Sequence, residues 1–385
     1  MTCIISNNLI AATKPKVLTN FLNKLAFFKH KHFDTALHYL SGLWHNLVRF
    51  NLETLHAATM SGEQSYGQLR YFINIADWDE AALNQRRLQF LENDVRTQTR
   101  DDGELILDDS AVKKYGRHTD GVYYQHYGAE GINTDCKVVV TSHYVDDTKD
   151  FPVDAEAYYK DEGKPKESKL DLACLLIDRS VQRQIRFSWI SFDRWFCTSQ
   201  VIKKVEGHNK YFVSKLKSNR VVVYRRERMK ASNLVTVAAA KSAQDDIPVD
   251  LGRMFVQKLG EYRIVVFKGE CFITNNFDVP TETIIKRYRE RWAIEEFYKQ
   301  SKENLSFGEF QIRNGLSIMR HWMLVFLAHT FYLHATLKGV FSKITVAVVK
   351  TLGEFRRTMQ NLNFIRAAKE QTNVLMAQLG LKTVN

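Results

Sequence analysis

Cysteine and proline are scarce, five of each in 385 residues. Cys3, Cys136, Cys174, Cys197 and Cys271 lie far apart and none forms a C-x-x-C pair. That excludes a zinc knuckle and a disulfide framework, and leaves reduced thiols in a cytosolic protein as the expectation. Internal repeats and low-complexity tracts are absent, which excludes a solenoid. The first residues, Met-Thr-Cys-Ile-Ile-Ser-Asn-Asn, lack the basic start of a secretory signal. Only His321 to Leu337 forms a long run without Lys, Arg, Asp or Glu, and it carries three histidines. Charges flank it at Arg320 and Lys338, so it reads as a buried helix and not as a membrane span. Acids are also short relative to bases, 43 against 55, a net charge of +12. The excess suits a polyanionic partner, because each cation set on a phosphate releases counterions. A merely basic soluble protein has the same balance.

What is present divides the chain by texture. Residues 1 to about 100 read as helical. Leu37, Leu40, Leu43, Trp44, Leu47 and Val48 recur at three- and four-residue spacing. Gly62 interrupts, and a second helical block runs from about Glu63 to Glu92 with a break at Asp77-Trp78-Asp79. Two short helices with a turn suit a major-groove reader or an ordinary bundle equally. Beyond residue 100, strand candidates appear at Glu104–Leu107, Lys137–Val145, Leu170–Ile177, Trp189–Phe192, Tyr211–Lys215, Arg220–Tyr224, Tyr262–Phe267 and Glu270–Thr274. Asp146 to Ser168 is polar and reads as an excursion from the sheet. From Thr281 the pattern is helical again. The order predicts an α/β centre between helical ends.

The run from Tyr288 to Lys302, Tyr-Arg-Glu-Arg-Trp-Ala-Ile-Glu-Glu-Phe-Tyr-Lys-Gln-Ser-Lys, is the most specific signal. On one ideal helix, Arg291, Glu295 and Lys302 fall at about 300°, 340° and 320° from Tyr288, one narrow arc. A carboxylate there can hold a metal and the cations beside it can hold phosphates. A solvated charged face explains any single pair, such as Arg291 with Glu295, but not the spacing. Trp292 and Phe297 read as packing residues. Two more acids follow apolar runs, Asp108 (with Asp109) and Asp193. Strand ends open onto crevices, although such acids also serve as turn or cap residues. Arg220, Arg225, Arg226, Arg228 and Lys230 cluster beside Tyr224 and read either as lining a DNA path or as a solvated hairpin. His30, His32, His38 and His45 lack a completing ligand and read as solvated or core residues.

The Tyr-x2-Arg-x3-Glu-x6-Lys run resembles the signature of insertion-sequence DDE transposases of the IS-four-like group, within the retroviral-integrase and ribonuclease-H-like superfamily. The resemblance is strong from Leu105 to Gly308 and reaches, less specifically, into Tyr66 to Trp78. It implies an α/β ribonuclease-H-like catalytic core with a β-rich insertion, flanked by helical N- and C-terminal regions. It implies three catalytic metal ligands: Asp108 in an Asp-x-Ser context, Asp193 after a second strand, and Glu295 within the signature. Asp109 stays open as the alternative first ligand. The implied cofactor is a pair of Mg²⁺ ions, with Mn²⁺ as a substitute. Tyr288, Arg291 and Lys302, with Arg225 and Arg226, are the implied or candidate DNA contacts.

The expected division is a helical DNA-binding region at 1–100, the first part of the core at 101–203, the β-rich insertion at 204–280, the glutamate helix at 281–314 and a helical, candidate dimerisation region at 315–385. The expected activity is metal-dependent cleavage and strand transfer on DNA by a homodimer pairing two element ends, in a bacterial cytoplasm, associated with the nucleoid. Another ribonuclease-H-like nuclease, or a non-catalytic DNA-binding descendant, remains as an alternative.

Overall fold

The computed structural model describes residues 16–45, 51–57, 64–114, 118–128, 130–161, 164–242, 246–337 and 351–378. The positions Leu47, Val48, Gly62 and Glu63, used above to bound the first helices, fall outside them, as does Cys3. The chain forms two compact units. Residues 1–98, 112–122 and 298–385 make the first, and 99–111 with 123–297 the second.

Helices come first: α1 (Lys16–Leu25), α2 (His30–His45), α3 (Leu52–Ala57), α4 (Tyr66–Asn74) and α5 (Glu80–Glu92). Ser65 starts α4 through a capping box with Gln68, and Asp79 caps α5 by accepting from the Ala82 amide. The break read at Asp77–Asp79 is therefore the turn between these two helices. Strands follow: β1 (Glu104–Lys113), β2 (Val122–Tyr127), β3 (Ile132–Asp146), β4 (Lys149–Ala157) and the short pair β5 (Lys160–Asp161) and β6 (Lys164–Pro165). Then come α6 (Lys169–Gln182), β7 (Trp189–Phe192), α7 (Ser199–Gly207), β8 (Tyr211–Lys215), β9 (Val221–Tyr224), β10 (Glu227–Lys230) and α8 (Asn233–Lys241). The chain continues with β11 (Val249–Val256), β12 (Gly260–Phe267), β13 (Glu270–Thr274), α9 (Thr281–Glu290), α10 (Trp292–Asn304), α11 (Gly315–Leu337) and α12 (Leu352–Gln378).

In the helical unit α11 is buried on nearly every side. Trp322, Phe326 and Phe331 fill its surroundings, with Trp44 and Phe355 stacked edge-on. Two of its buried polar residues are answered internally. Arg320 donates to the carbonyls of Ala76 and Trp78, at 2.7 and 2.5 Å, and His321 lies 2.7 Å from the Tyr39 hydroxyl. That is a globular core helix, and no described helix is long and apolar enough to cross a membrane. The early histidines also divide as core or surface: His32, His38 and His45 are buried and His30 is exposed.

The second unit is built on one mixed sheet, in the order β10-β9-β11-β12-β13-β8-β7-β1-β3-β2, with β4 beside β3. β1, β7 and β8 run parallel, and their residues Leu105, Leu107, Ile190, Phe192, Phe212 and Val213 are fully buried. Connections α6 and α7 lead into β7 and β8. The β-rich segment is antiparallel and extends the same sheet through the β13–β8 pairing.

Two local expectations are corrected. Leu170–Ile177 is not a strand but lies within α6. A continuous apolar run fits both states, and the deciding signal is the capping box of Ser168 with Asp171. The polar excursion at 146–168 contains β4, paired with β3 over eight positions. Its acids are paired: Asp154 meets Arg183 at 2.6 Å, Glu156 meets Arg179, and Asp150 meets His143 at 2.8 Å. Charge there hid a strand whose carboxylates are neutralised by α6 and β3.

Candidate active site

Side chains alternate along a strand, so Glu104, Ile106 and Asp108 lie on one face of β1 and Asp109 on the other. The contacts follow this. Asp109 pairs with Lys169, at the start of α6, at 2.8 Å. Asp108 pairs with Arg291 at 3.2 Å. Asp108 does not end its strand, as the sequence suggested. β1 runs on to Lys113, but its register with β7 stops at Leu107 opposite Phe192, so Asp108 stands one residue past the pairing. Asp193 is one residue past the same point on β7. The two acids therefore leave adjacent parallel strands at one level. The Asp193 carboxylate accepts from the amides of Trp195, at 2.7 Å, and Phe196, at 3.2 Å, which locks the turn that follows.

The Tyr288–Lys302 run is not one helix. It breaks at Arg291 between α9 and α10, so the single wheel assumed for it does not apply to its whole length. The break leaves Trp292 64% exposed, against its expected packing role, while Phe297 is buried as expected. Arg291 itself turns inward. Its guanidinium contacts Asp108 through Nη1 and Glu295 through Nη2, and Nε is buried without a hydrogen-bond partner. Tyr288 packs on the cluster of Trp189, Val213, Phe267, Phe272 and Ile284. Lys215 and Arg291 stand over its ring at 5.6 and 5.5 Å. Lys302 belongs to the helical unit, near Tyr298, where burial lowers its pKa. Arg225 and Arg226 lie in the sheet unit on the exposed β9–β10 turn.

Electrostatics sets what this arrangement lacks. Burial pushes the Asp108 carboxyl up to about 7, against the opposing pull of Arg291, and the negative charges of Asp109 and Asp193 push it further. Burial, more than the like charges, therefore sets the shift, and Arg291 offsets it only in part. Among the described residues no three Asp, Glu, His or Cys side chains stand close enough to hold a metal ion together. Asp108 and Glu295 are joined instead through Arg291. The donor set is nonetheless all carboxylate oxygen, the chemistry that hard divalent cations take. An added cation would also favour the ionised form of Asp108 that burial disfavours. The residues present fit a divalent metal on both counts.

A second acidic group lies on the same face, four residues back on both elements. Glu104 is fully buried, and among the described residues neither carboxyl oxygen has a hydrogen-bond partner. Its neighbours are Ser191 on β7, whose hydroxyl is also unpartnered, and Glu290 and Arg287 on α9. Arg287 stands 4.0 Å from Glu104 and 3.2 Å from Glu290. Sequence reasoning missed this group, because an acid at the start of an apolar run looks like a solvated strand end. The available signal was the shared four-residue step, Glu104 to Asp108 and Arg287 to Arg291.

Comparison with known proteins now adds to the geometry. No curated protein matches the chain. The chain does match the family described as DDE superfamily endonuclease, over residues 21–234. The matched span takes in the strands carrying Asp108 and Asp193 and stops before Glu295. Endonucleases of this kind generally depend on a divalent metal and act on DNA. The mixed central sheet with flanking helices is the α/β, ribonuclease-H-like core of such enzymes, as the resemblance to DDE transposases implied. With the match covering more than half of its length, this chain belongs to the DDE superfamily of endonucleases.

Proposed function

We propose that the protein is a DDE transposase of the IS-four-like group, an enzyme that cleaves the ends of an insertion sequence and joins them to target DNA. One observation carries the reading. Asp108 and Asp193 emerge together from adjacent parallel strands, and Arg291 ties Asp108 to Glu295 on a separate helix. Acids drawn from such distant points of the chain into one unit suit a shared metal site better than a fold-stabilising role. Asp108 is the preferred first ligand because Asp109 faces the opposite side and is neutralised by Lys169.

Asp108, Asp193 and Glu295 would hold two Mg²⁺ ions, with Mn²⁺ as a substitute. When bound, such ions stabilise negative charge on the attacking and leaving oxygens of a phosphodiester. The protein's own groups do the rest. Arg291, which pairs with Asp108 and Glu295, would be the guanidinium placed to bind a scissile-strand phosphate beside these acids. Tyr288, held in its apolar cluster between two cations, fixes the direction of Arg291 and presents its ring edge to the strand. Lys302, Arg225 and Arg226 supply DNA contacts away from the metals. The helical segment at 1–100 serves DNA recognition, 204–280 is the β-rich insertion that extends the DNA path, and the helices from 315 onward pair two protomers.

A pre-cut element end tests transposition against simple nuclease activity. With Mg²⁺ and target duplex, the wild-type protein should both nick intact ends and join a pre-cut 3′-hydroxyl end covalently to the target. Nicking without joining would make it a ribonuclease-H-like nuclease of another kind. Neither product would leave a non-catalytic DNA-binding descendant.

A further inference from the structure

The β9–β10 hairpin closes with two residues, Arg225 and Arg226, between the paired positions Tyr224 and Glu227. Both have positive φ, 50° and 72°. This is the two-residue turn that antiparallel strands favour, and it normally takes Asn-Gly, because other side chains are strained in the left-handed region. Placing arginine at both positions costs stability in the folded chain with little packing return, since both side chains are exposed. Strain retained at a surface position points to use.

The surroundings show what kind. Arg228 and Lys230 on β10 are exposed as well, on the same side of the ribbon by strand alternation. Among the described residues, none of these four cations has an ion-pair partner. Arg225 lies over the Tyr224 ring at 5.4 Å, which limits its freedom. β10 is a terminal strand of the sheet, so the ribbon has an open edge. The result is a narrow cationic tip with a cationic flank.

We propose that this tip enters the minor groove of duplex DNA, Arg225 and Arg226 reaching in while Arg228 and Lys230 follow the phosphates alongside. Phosphate binding alone would be served as well by lysine, or by cations on an unstrained turn. A guanidinium sheds its weak hydration more readily than an ammonium, and the narrow groove of A/T tracts concentrates negative potential where arginine fits. The inference rests on the reading of DNA as substrate and adds a groove and a sequence class to it: the hairpin favours A/T-rich duplex.

The test measures binding of the full chain to A/T-tract and G/C-rich duplexes of equal length, without metal, over a range of salt. The wild type should prefer the A/T tract by about tenfold, and netropsin, a minor-groove ligand, should compete. In the R225N/R226G variant the preference should vanish and the salt slope should fall by up to about two. Its Tm should nevertheless rise, because the turn relaxes; a higher Tm also rules out misfolding as the cause of lost binding. The R225K/R226K variant should keep the salt slope and lose the preference. Retention of the A/T preference by R225N/R226G, or no preference and no netropsin competition in the wild type, overturns the hairpin assignment while leaving the DNA reading intact. A wild type that binds neither duplex overturns both.

Discussion

Glu295→Gln should reduce metal-dependent nicking on the order of 10³-fold or more, with metal-free DNA binding preserved. Glutamine keeps the shape of the side chain and can still accept from Arg291, so the helix break that presents it is undisturbed. What it loses is the charge that holds a cation. The same reasoning separates Glu295 from Glu296, its neighbour in the signature run. Glu296→Gln, one residue further along the helix and so turned about 100° from Glu295, should leave nicking within about threefold of wild type. Measuring both variants under single-turnover conditions, with binding assayed separately, checks the assignment. A Glu295→Gln enzyme that nicks at the wild-type rate would remove the glutamate from the site.

Stability should respond in the opposite sense at Glu104. Burial raises its carboxyl well above the usual carboxylate range, Arg287 only partly opposes this, and Glu290 adds like charge. A carboxyl raised in the folded state retains its proton there more strongly than in the unfolded chain. Stability is then fully present below the ordinary carboxylate value and is lost as pH climbs toward the raised one. Glu104→Gln removes the ionisation and keeps the shape. It should raise stability at pH 8 by on the order of 2 kcal/mol and make little difference at pH 4. Urea unfolding at the two pH values checks this, and equal effects at both would show that Glu104 does not titrate between them. Because α9 carries Arg287 and Glu290 next to Tyr288 and Arg291, the substitution also reports on how firmly that helix is seated on β1 and β7.

Much of this was legible in the residues themselves. The apolar runs at Leu105–Leu107 and Ile190–Phe192 are buried parallel strands, and continuous hydrophobicity without alternation is what such strands show. The four-residue step from Arg291 to Glu295 suits an ordinary helical ion pair, and that contact forms. Other features were hidden for definable reasons. β4 was masked because its carboxylates pair with Arg179, Arg183 and His143, which are distant in sequence or on another element. α6 was read as a strand because a short apolar run carries no period, and only Ser168 with Asp171 distinguishes the helix. The break at Arg291 has neither proline nor glycine to announce it. It accompanies ion pairing to Asp108, 183 residues earlier in the chain, and no local pattern encodes a contact at that separation. Glu104 escaped notice for a related reason: its burial depends on α9, not on its own neighbours.

The most direct measurement is anomalous scattering from crystals grown with Mn²⁺ and an element-end duplex. The proposed site predicts manganese peaks within coordination distance, about 2.1 Å for a small divalent cation, of carboxylate oxygens from Asp108, Asp193 and Glu295, with Arg291 turned away from the acids. Manganese bound elsewhere, or only to Asp109, with Arg291 still bridging Asp108 and Glu295 in the DNA complex, would contradict it.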